Sequence, residues 1–242
     1  MHQFKCVVVF LSVALMGDSV LAQQYALDSQ EGVAGAELFA VCAFCHGAQG
    51  QGGPALDAPP LAGMQAWYVA AQLIAFQQGY RGNHPDDVPG LQMSIVSGAV
   101  RNAATIKNIA EYIQSMPTDA PLELARNGEM AGTARPFIWR SKYAKLEHPE
   151  PANIDKGRIL YASCGTCHGR QAQGNRILRA PKLTGLTAKY LHRQLQYYQD
   201  RIRGADPRDT YGVQMAVYAD MLKDNQAIAD VVAYIESMEV AQ

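Results

Sequence analysis

Two short segments of the chain place a pair of thiols beside an imidazole. Each consists of two cysteines three positions apart and a histidine directly after the second: Cys42, Cys45 and His46, then Cys164, Cys167 and His168. On a helical turn, residues three and four positions apart lie on one face. Two thiols at this spacing can bond to one edge of a porphyrin, while the histidine ligates its iron. The spacing is typical of c-type haem attachment.

Three other interpretations of this motif are a redox dithiol, half of a zinc site, and coincidence. A redox dithiol is typical of a βαβ context, which the sequence lacks. A zinc site built from both pairs needs no histidine directly after each second cysteine. Two independent chance matches are expected with odds on the order of 1 in 10⁵. We therefore predict two covalently bound haem c groups, which use every cysteine after residue 22.

The two motifs belong to a repeat with an offset of 122 residues. Residues 35–116 align without a gap to residues 157–238, and 32 of these 82 positions are identical. This pattern indicates a domain duplication. We predict a first domain over 23–116, a connection over 117–152 and a second domain over 153–242.

The repeat also indicates a second axial ligand for each iron. Met93 and Met215 are equivalent, and each lies 47 residues after the histidine of its motif. Methionine is the common sixth ligand of electron-transfer haems, although most methionines fill hydrophobic cores. Met64 and Met221 have no methionine at the equivalent position, so neither suits a ligand used by both copies.

The remaining candidate ligands fit the pattern less well. Met116 and Met238 are equivalent, but each ends an apolar helical segment and is typical of a core residue. His84 and His192 align with non-histidine residues, and we expect both at the surface. His148 lies in the connection.

The sequence around these residues favours an all-α fold. Apolar residues recur at intervals of three and four before each first cysteine and in two later segments of each repeat, residues 66–78 and 106–116, then 189–200 and 227–238. Asp28 or Ser29, and Asn153, are candidate N-caps for the helices that carry the motifs. Glycine-rich loops are expected between the helices, and no segment alternates like a strand. We predict three or more helices around each haem.

Each repeat resembles a class I cytochrome c domain, and the pair resembles the two-domain dihaem cytochromes of the c4 type. The resemblance covers about two thirds of the chain and rests on the motifs above, on PPLAG and PKLTG, and on a shared RGxxPxD…GxQM pattern. That pattern also resembles cytochrome domains associated with haem–copper terminal oxidases. The connection is longer than the short linker of the c4 family, so domain packing is left open.

The resemblance implies further roles for four pairs of residues. Pro59 and Pro181 would offer backbone carbonyls to the Nδ1–H groups of the motif histidines, which orients the rings. The first and last helices of each domain would cross where a glycine meets a tyrosine, at Gly35 with Tyr112 and at Gly157 with Tyr234.

Composition and charge exclude several classes of protein. Hydrophobic residues make up 48% and charged residues 18%, which is globular composition. A formal net charge of −1 argues against nucleic-acid binding. Residues 23–116 carry a net −4 and residues 153–242 a net +3. This asymmetry is either sequence drift or steering towards different partners. We expect four basic residues to surround the second haem: Arg170, Arg176, Arg179 and Lys182.

Residues 1–22 have the pattern of a secretory signal peptide. Lys5 precedes an apolar run over 6–16, and Val20 and Ala22 suit cleavage before Gln23. The run is about half of the ~20 residues that a membrane helix needs. We predict export to the periplasm, with no transmembrane anchor and a peripheral position at the membrane left open.

These observations favour a periplasmic electron carrier over an enzyme. It would pass single electrons from a quinol-oxidising complex to a terminal oxidase or reductase. The alternative is a dihaem subunit that accepts electrons from a dehydrogenase, with the aromatic segment Phe137–Tyr143 as a docking patch. A dihaem enzyme needs an exchangeable iron position, and the matched methionines argue against one.

Overall fold

The computed structural model describes residues 34–53, 56–100, 102–118 and 151–238. Within these ranges the chain forms eight α-helices, four in each repeat. They are α1 (Gly35–His46), α2 (Ala66–Gln77), α3 (Val88–Ser97), α4 (Ala103–Ser115), α5 (Ile154–His168), α6 (Ala188–Gln199), α7 (Thr210–Ala219) and α8 (Asn225–Glu236). The β pairing in the described ranges consists of two isolated bridges, Gly53 with Ala58 and Asn175 with Ala180. The all-α prediction is confirmed.

Several sequence predictions concern parts of the chain outside the described residues. These are the signal peptide over 1–22, the caps Asp28 and Ser29, His148, and the aromatic segment Phe137–Tyr143. The cap predicted for the second motif helix is confirmed, because Asn153 Oδ1 accepts a hydrogen bond from Lys156 N at 3.0 Å.

The structure adds one helix per repeat that the sequence analysis assigned to loops. These helices, α3 and α7, carry Met93 and Met215. Proline and glycine near the start of α3 obscure its apolar periodicity. The start signal was nevertheless present: Asp87 caps α3 and Asp209 caps α7, each accepting a bond at 2.9 Å from the glycine amide three residues later.

In each domain the helix that ends in the haem motif packs against the last helix of the domain. A Cβ at Gly35 would lie 2.6 Å from Tyr112 Cβ and would also overlap Asn108 O. A Cβ at Gly157 would lie 2.9 Å from Tyr234 Cβ and would overlap a backbone oxygen of α8. Glycine at these positions lets the two helices approach, as the resemblance implies.

Each domain has its own hydrophobic core. Phe39, Ile109 and Ile113 form the centre of the first core, where helices α1 and α4 meet. Tyr161, Ile228 and Val231 occupy the corresponding place between α5 and α8. The buried residues of each core come from a single repeat, and Leu186 of the second repeat packs against both cores. Each repeat therefore provides most of the scaffold for its own motif.

The two domains also pack against each other, across α2 and α6. Arg81 donates to Tyr190 Oη at 3.0 Å and to Gln194 Oε1 at 3.2 Å. In the reciprocal contacts, Arg203 donates to Tyr68 Oη at 3.2 Å and to Gln72 Oε1 at 3.0 Å. The members of each reciprocal pair are 122 residues apart, so the interface has approximate two-fold symmetry. The long connection therefore does not prevent direct packing of the domains.

The prediction that His192 lies at the surface is wrong, and this interface explains why. His192 is only 4% exposed, and its neighbours Leu191, Arg193 and Gln194 are buried as well. Helix α6 has its own core on one side and the first domain on another, so little of it reaches solvent. His84, by contrast, is partly exposed in the loop before α3.

The close approach at Gly157 predicts a large effect of a single methyl group. Gly157→Ala should lower the free energy of unfolding by about 1–3 kcal/mol, because a Cβ would overlap the backbone of α8. The matched control is Gly165→Ala on the same helix, where the nearest atom is a Tyr161 ring carbon at 3.3 Å and the first repeat already has Ala43. Urea unfolding of both variants measures the difference. Equal effects would show that α5 and α8 do not approach as described.

Candidate haem sites

The motif histidines are buried at the ends of α1 and α5. His46 and His168 are each 4% exposed. The Nδ1 atom of His46 lies 2.8 Å from Pro59 O, and that of His168 lies 2.8 Å from Pro181 O. A carbonyl oxygen can only accept, so Nδ1 carries the proton and Nε2 presents a lone pair. This is the tautomer that a metal-ligating histidine needs.

Burial also keeps both imidazoles neutral. It lowers the pKa of His46 and of His168, although the hydrogen bond to the proline carbonyl acts in the opposite direction. A group with a pKa below 6.5 is uncharged at neutral pH. Each site therefore presents a neutral nitrogen that could ligate a metal.

The four cysteines of the motifs are partly buried. Burial, followed by the neighbouring Cys45 sulfur, raises the pKa of Cys42 to about 11. Burial likewise raises the pKa of Cys45 and of Cys164. The environment thus favours neutral sulfur, as in a thiol or a thioether, over a thiolate.

Helix α7 brings a methionine sulfur to the second motif, and α3 places the equivalent methionine in the core beside the first. Met215 Sδ lies 3.5 Å from His168 Nε2, so these two atoms face each other directly. In the first domain, Met93 and Cys42 pack against the same hydrophobic core. Met64 and Met221 are placed differently from this pair: Met64 is buried at 5% exposure and Met221 is 56% exposed.

A glutamine that the sequence motifs did not identify bonds to the backbone at the C-terminal end of each methionine helix, α3 or α7. Gln77 Nε2 donates to the backbone oxygens of Ser97, at 2.8 Å, and Val100. Gln199 Nε2 donates in the same way to Ala219 O, at 2.9 Å, and Leu222 O. Gln77 and Gln199 are equivalent, so the repeat alignment contained the signal that identifies them.

Buried arginines between the domains provide a test of whether a haem fits. Arg81 and Arg203 are 9% and 6% exposed, and the acceptors described above are neutral amide and phenol oxygens. In the described part of the chain, Arg203 Nε is buried without a hydrogen-bond partner. Buried cations need a negative partner, and haem carries propionate carboxylates that suit these donors. The residues therefore fit the group.

The positive charge at this interface also affects a tyrosine. Burial alone would raise the pKa of Tyr190, but Arg81 and Arg203 lower it overall. A phenol with a lowered pKa reports a field that stabilises negative charge. This supports the same conclusion about an anionic group beside the arginines.

Comparisons with known proteins agree with the fold and with the duplicated motif. The cytochrome c family model matches residues 32–117 and 154–239. The thiosulfate dehydrogenase electron acceptor of Thiomonas intermedia (strain K12) is 30% identical over 171 residues, 69% of this chain and 67% of that protein. Cytochrome c4 of Stutzerimonas stutzeri is 29% identical over 178 residues, 72% of this chain and 74% of that protein.

The crystal structure of reduced cytochrome c4 from Pseudomonas stutzeri shares this fold. It superimposes with a TM-score of 0.59 at 23% identity, over 85% of this chain and 97% of that one. Two helical domains, each with a buried histidine beside a cysteine pair, define a dihaem c-type electron carrier. The chain belongs to the cytochrome c family. It carries two covalently bound haem c groups and transfers electrons between redox protein partners.

Proposed function

We propose that each domain holds its haem with a complete set of protein ligands. Cys42 and Cys45 in the first domain, and Cys164 and Cys167 in the second, form the thioether bonds. His46 with Met93, and His168 with Met215, are the axial pairs. The observation that supports this most strongly is the 3.5 Å separation of His168 Nε2 and Met215 Sδ in a buried site. When bound, haem supplies reversible one-electron oxidation and reduction of its iron.

The chain's own residues would make each site suitable for fast electron transfer. Pro59 and Pro181 hold the imidazole rings in one orientation, so the ligand set does not rearrange between oxidation states. Gln77 and Gln199 hold the ends of the methionine helices. Methionine with histidine raises the reduction potential of a c-type haem.

The proposed redox partners are a quinol-oxidising complex as donor and a terminal oxidase or reductase as acceptor. A second candidate donor is a dehydrogenase. The similarity to the thiosulfate dehydrogenase electron acceptor of Thiomonas intermedia favours it. Both candidates use the same two sites. They differ in the protein that delivers the electron and in whether this chain is a free carrier or a subunit of a dehydrogenase complex.

The proposed location is the periplasm, after removal of residues 1–22. The pattern of these residues supports export, and thioether attachment of haem normally follows export. None of the helices in the described ranges has the length and apolarity needed to cross a bilayer. Residues 1–22 lie outside those ranges.

The mature protein should begin at Gln23 and carry two haems that survive denaturation. Thioether bonds are covalent, so acidified organic solvent should extract neither haem. Intact-mass spectrometry of the exported protein under denaturing conditions measures both properties. A retained N-terminus would contradict export with cleavage, and an extractable haem would contradict attachment through both cysteine pairs.

Removal of either proposed methionine ligand should abolish half of the sulfur-to-iron signal. Met93→Ala and Met215→Ala should each lower the near-infrared band of the oxidised protein by about half, because each removes one of two iron–sulfur bonds. Met64→Ala and Met221→Ala are the controls, since one residue is in the core and the other is exposed. Loss of the band in either control would assign the ligand elsewhere.

The charge asymmetry between the domains supports a docking role for the second one. Arg170 and Arg176 are exposed in the loop that follows the second motif. The other two basic residues expected there contact the first domain instead. Arg179 lies 6.0 Å from the centre of the Trp67 ring, and the backbone N–H of Lys182 donates to Gln65 Oε1 at 2.9 Å. We therefore assign steering to Arg170 and Arg176.

Neutralisation of this pair should slow electron exchange with an acidic redox protein. Arg170→Gln with Arg176→Gln should lower the rate roughly two- to tenfold at low ionic strength, because exposed charges steer encounter. It should also flatten the dependence on salt. The control is Lys156→Gln with Arg158→Gln, which removes the same charge from exposed positions at the other end of α5. The rates are measured by stopped flow across a salt series. Equal rates for the two variants would show that Arg170 and Arg176 do not steer the acidic partner to this loop.

A further inference from the structure

The interface between the domains contains a central set of contacts that either domain could make with a copy of itself. Arg81, Gln72 and Tyr68 in the first domain have identical equivalents, Arg203, Gln194 and Tyr190, in the second. Each arginine bonds to the glutamine and the tyrosine of the opposite domain. Two first domains, or two second domains, from different chains could form the same set. The central contacts therefore cannot select the pairing within one chain.

The flanks of the interface do differ between the domains. Asp57 and Arg179 are equivalent positions, and both have a left-handed backbone, with φ of 55° and 54°. The Asp57 carboxylate pairs with Lys189 Nζ and lies 3.4 Å from Arg193 Nη1. On the opposite flank, Arg179 lies over the Trp67 ring at 6.0 Å from its centre. Trp67 is equivalent to Lys189, and Ala71 is equivalent to Arg193.

Pairing of like domains would replace these contacts with unfavourable ones. Two second domains would place each Arg179 against Lys189 and Arg193, so that positive charges face each other on both flanks. Two first domains would place each Asp57 against Trp67 and Ala71, where no cation balances the carboxylate. Asp57 and Arg193 have side chains that are only 10% and 5% exposed. Unbalanced charge at such buried positions is costly.

We propose that Asp57 and Arg179 determine which domains pair. They favour the first domain against the second of the same chain and disfavour association of like domains from two chains. This role goes beyond electron transfer, because it concerns how the chain recognises its own two halves. It requires no change in the haem ligands.

The test exchanges the two residues in the mature two-haem protein. The variant Asp57→Arg with Arg179→Asp keeps the composition, the net charge and the residue types at the two left-handed positions. Within one chain, the introduced arginine at position 57 would face Lys189 and Arg193. Between chains, both like pairings would become favourable: the new aspartate faces Lys189 and Arg193, and the new arginine faces Trp67.

The exchange variant should therefore associate between chains. Its dissociation constant for self-association should be at least about tenfold lower than that of the wild type. Sedimentation equilibrium from roughly 1 μM to 1 mM covers the range in which linked domains compete with separate ones. The matched control is Lys107→Glu with Glu111→Lys, an exchange within an exposed ion pair on α4. Equal self-association of the exchange variant, the control and the wild type would overturn the proposal.

A second comparison keeps the test valid if the exchange variant does not fold. Arg179→Asp alone leaves the contacts of Asp57 in place and makes two second domains complementary. It should self-associate more strongly than Arg179→Gln, which removes the same positive charge without adding a negative one. The same degree of association for both variants would also overturn the proposal.

Discussion

The hydrogen bond between each motif histidine and a proline carbonyl connects the local helix to the rest of its domain. The bond joins residues 13 positions apart, so the intervening loop must turn back towards the helix. It does so by bonding to the end of that helix: Gly52 N donates to His46 O at 2.7 Å, and Gly174 N donates to His168 O at 2.8 Å. Gly52 and Gly174 have φ of 93° and 83°, which disfavours a side chain there. The hydrogen bond to one buried imidazole thus fixes the tautomer of the ring and the path of the loop. That path in turn requires glycine at the left-handed position.

The two copies of this unit have identical residues at the centre of the interface between the domains and different residues at many other positions. The arginines, glutamines and tyrosines that join the domains are identical in both copies. Phe44, between the cysteines of the first motif, is 81% exposed, whereas Thr166 replaces it in the second. At the centre of the interface the domains use shared residues, whereas the flanks of the interface, such as Asp57 and Arg179, and exposed positions differ between the copies. Packing thus accounts for the identity of the central residues, while the flanks and the solvent-facing positions differ.

The sequence was most informative where chemistry demands an exact spacing. The thiol–imidazole motifs and the cap at Asn153 are local features that neighbouring residues define, whereas the close approach of Gly157 to α8 was expected only from the family resemblance. Helices α3 and α7 were not predicted because Pro89 and Gly90 in α3, and Gly212 in α7, weaken the apolar period, although Asp87 and Asp209 cap the two helices. The burial of His192 and the contact of Arg179 with Trp67 depend on the other domain. No pattern within a single repeat could have revealed them.

The arginines of the interface link the packing of the domains to their electronic properties. A buried guanidinium stabilises nearby negative charge more strongly than an exposed one, because water screens it less. Arg81 and Arg203 each reach across the interface, so each domain places a positive charge against the other. An added electron is itself a negative charge, and a fixed cation in a low-dielectric region favours the reduced state. The contacts that hold the domains together therefore also keep two cations in a region that water screens poorly, and separation of the domains would expose both arginines to water and weaken their field.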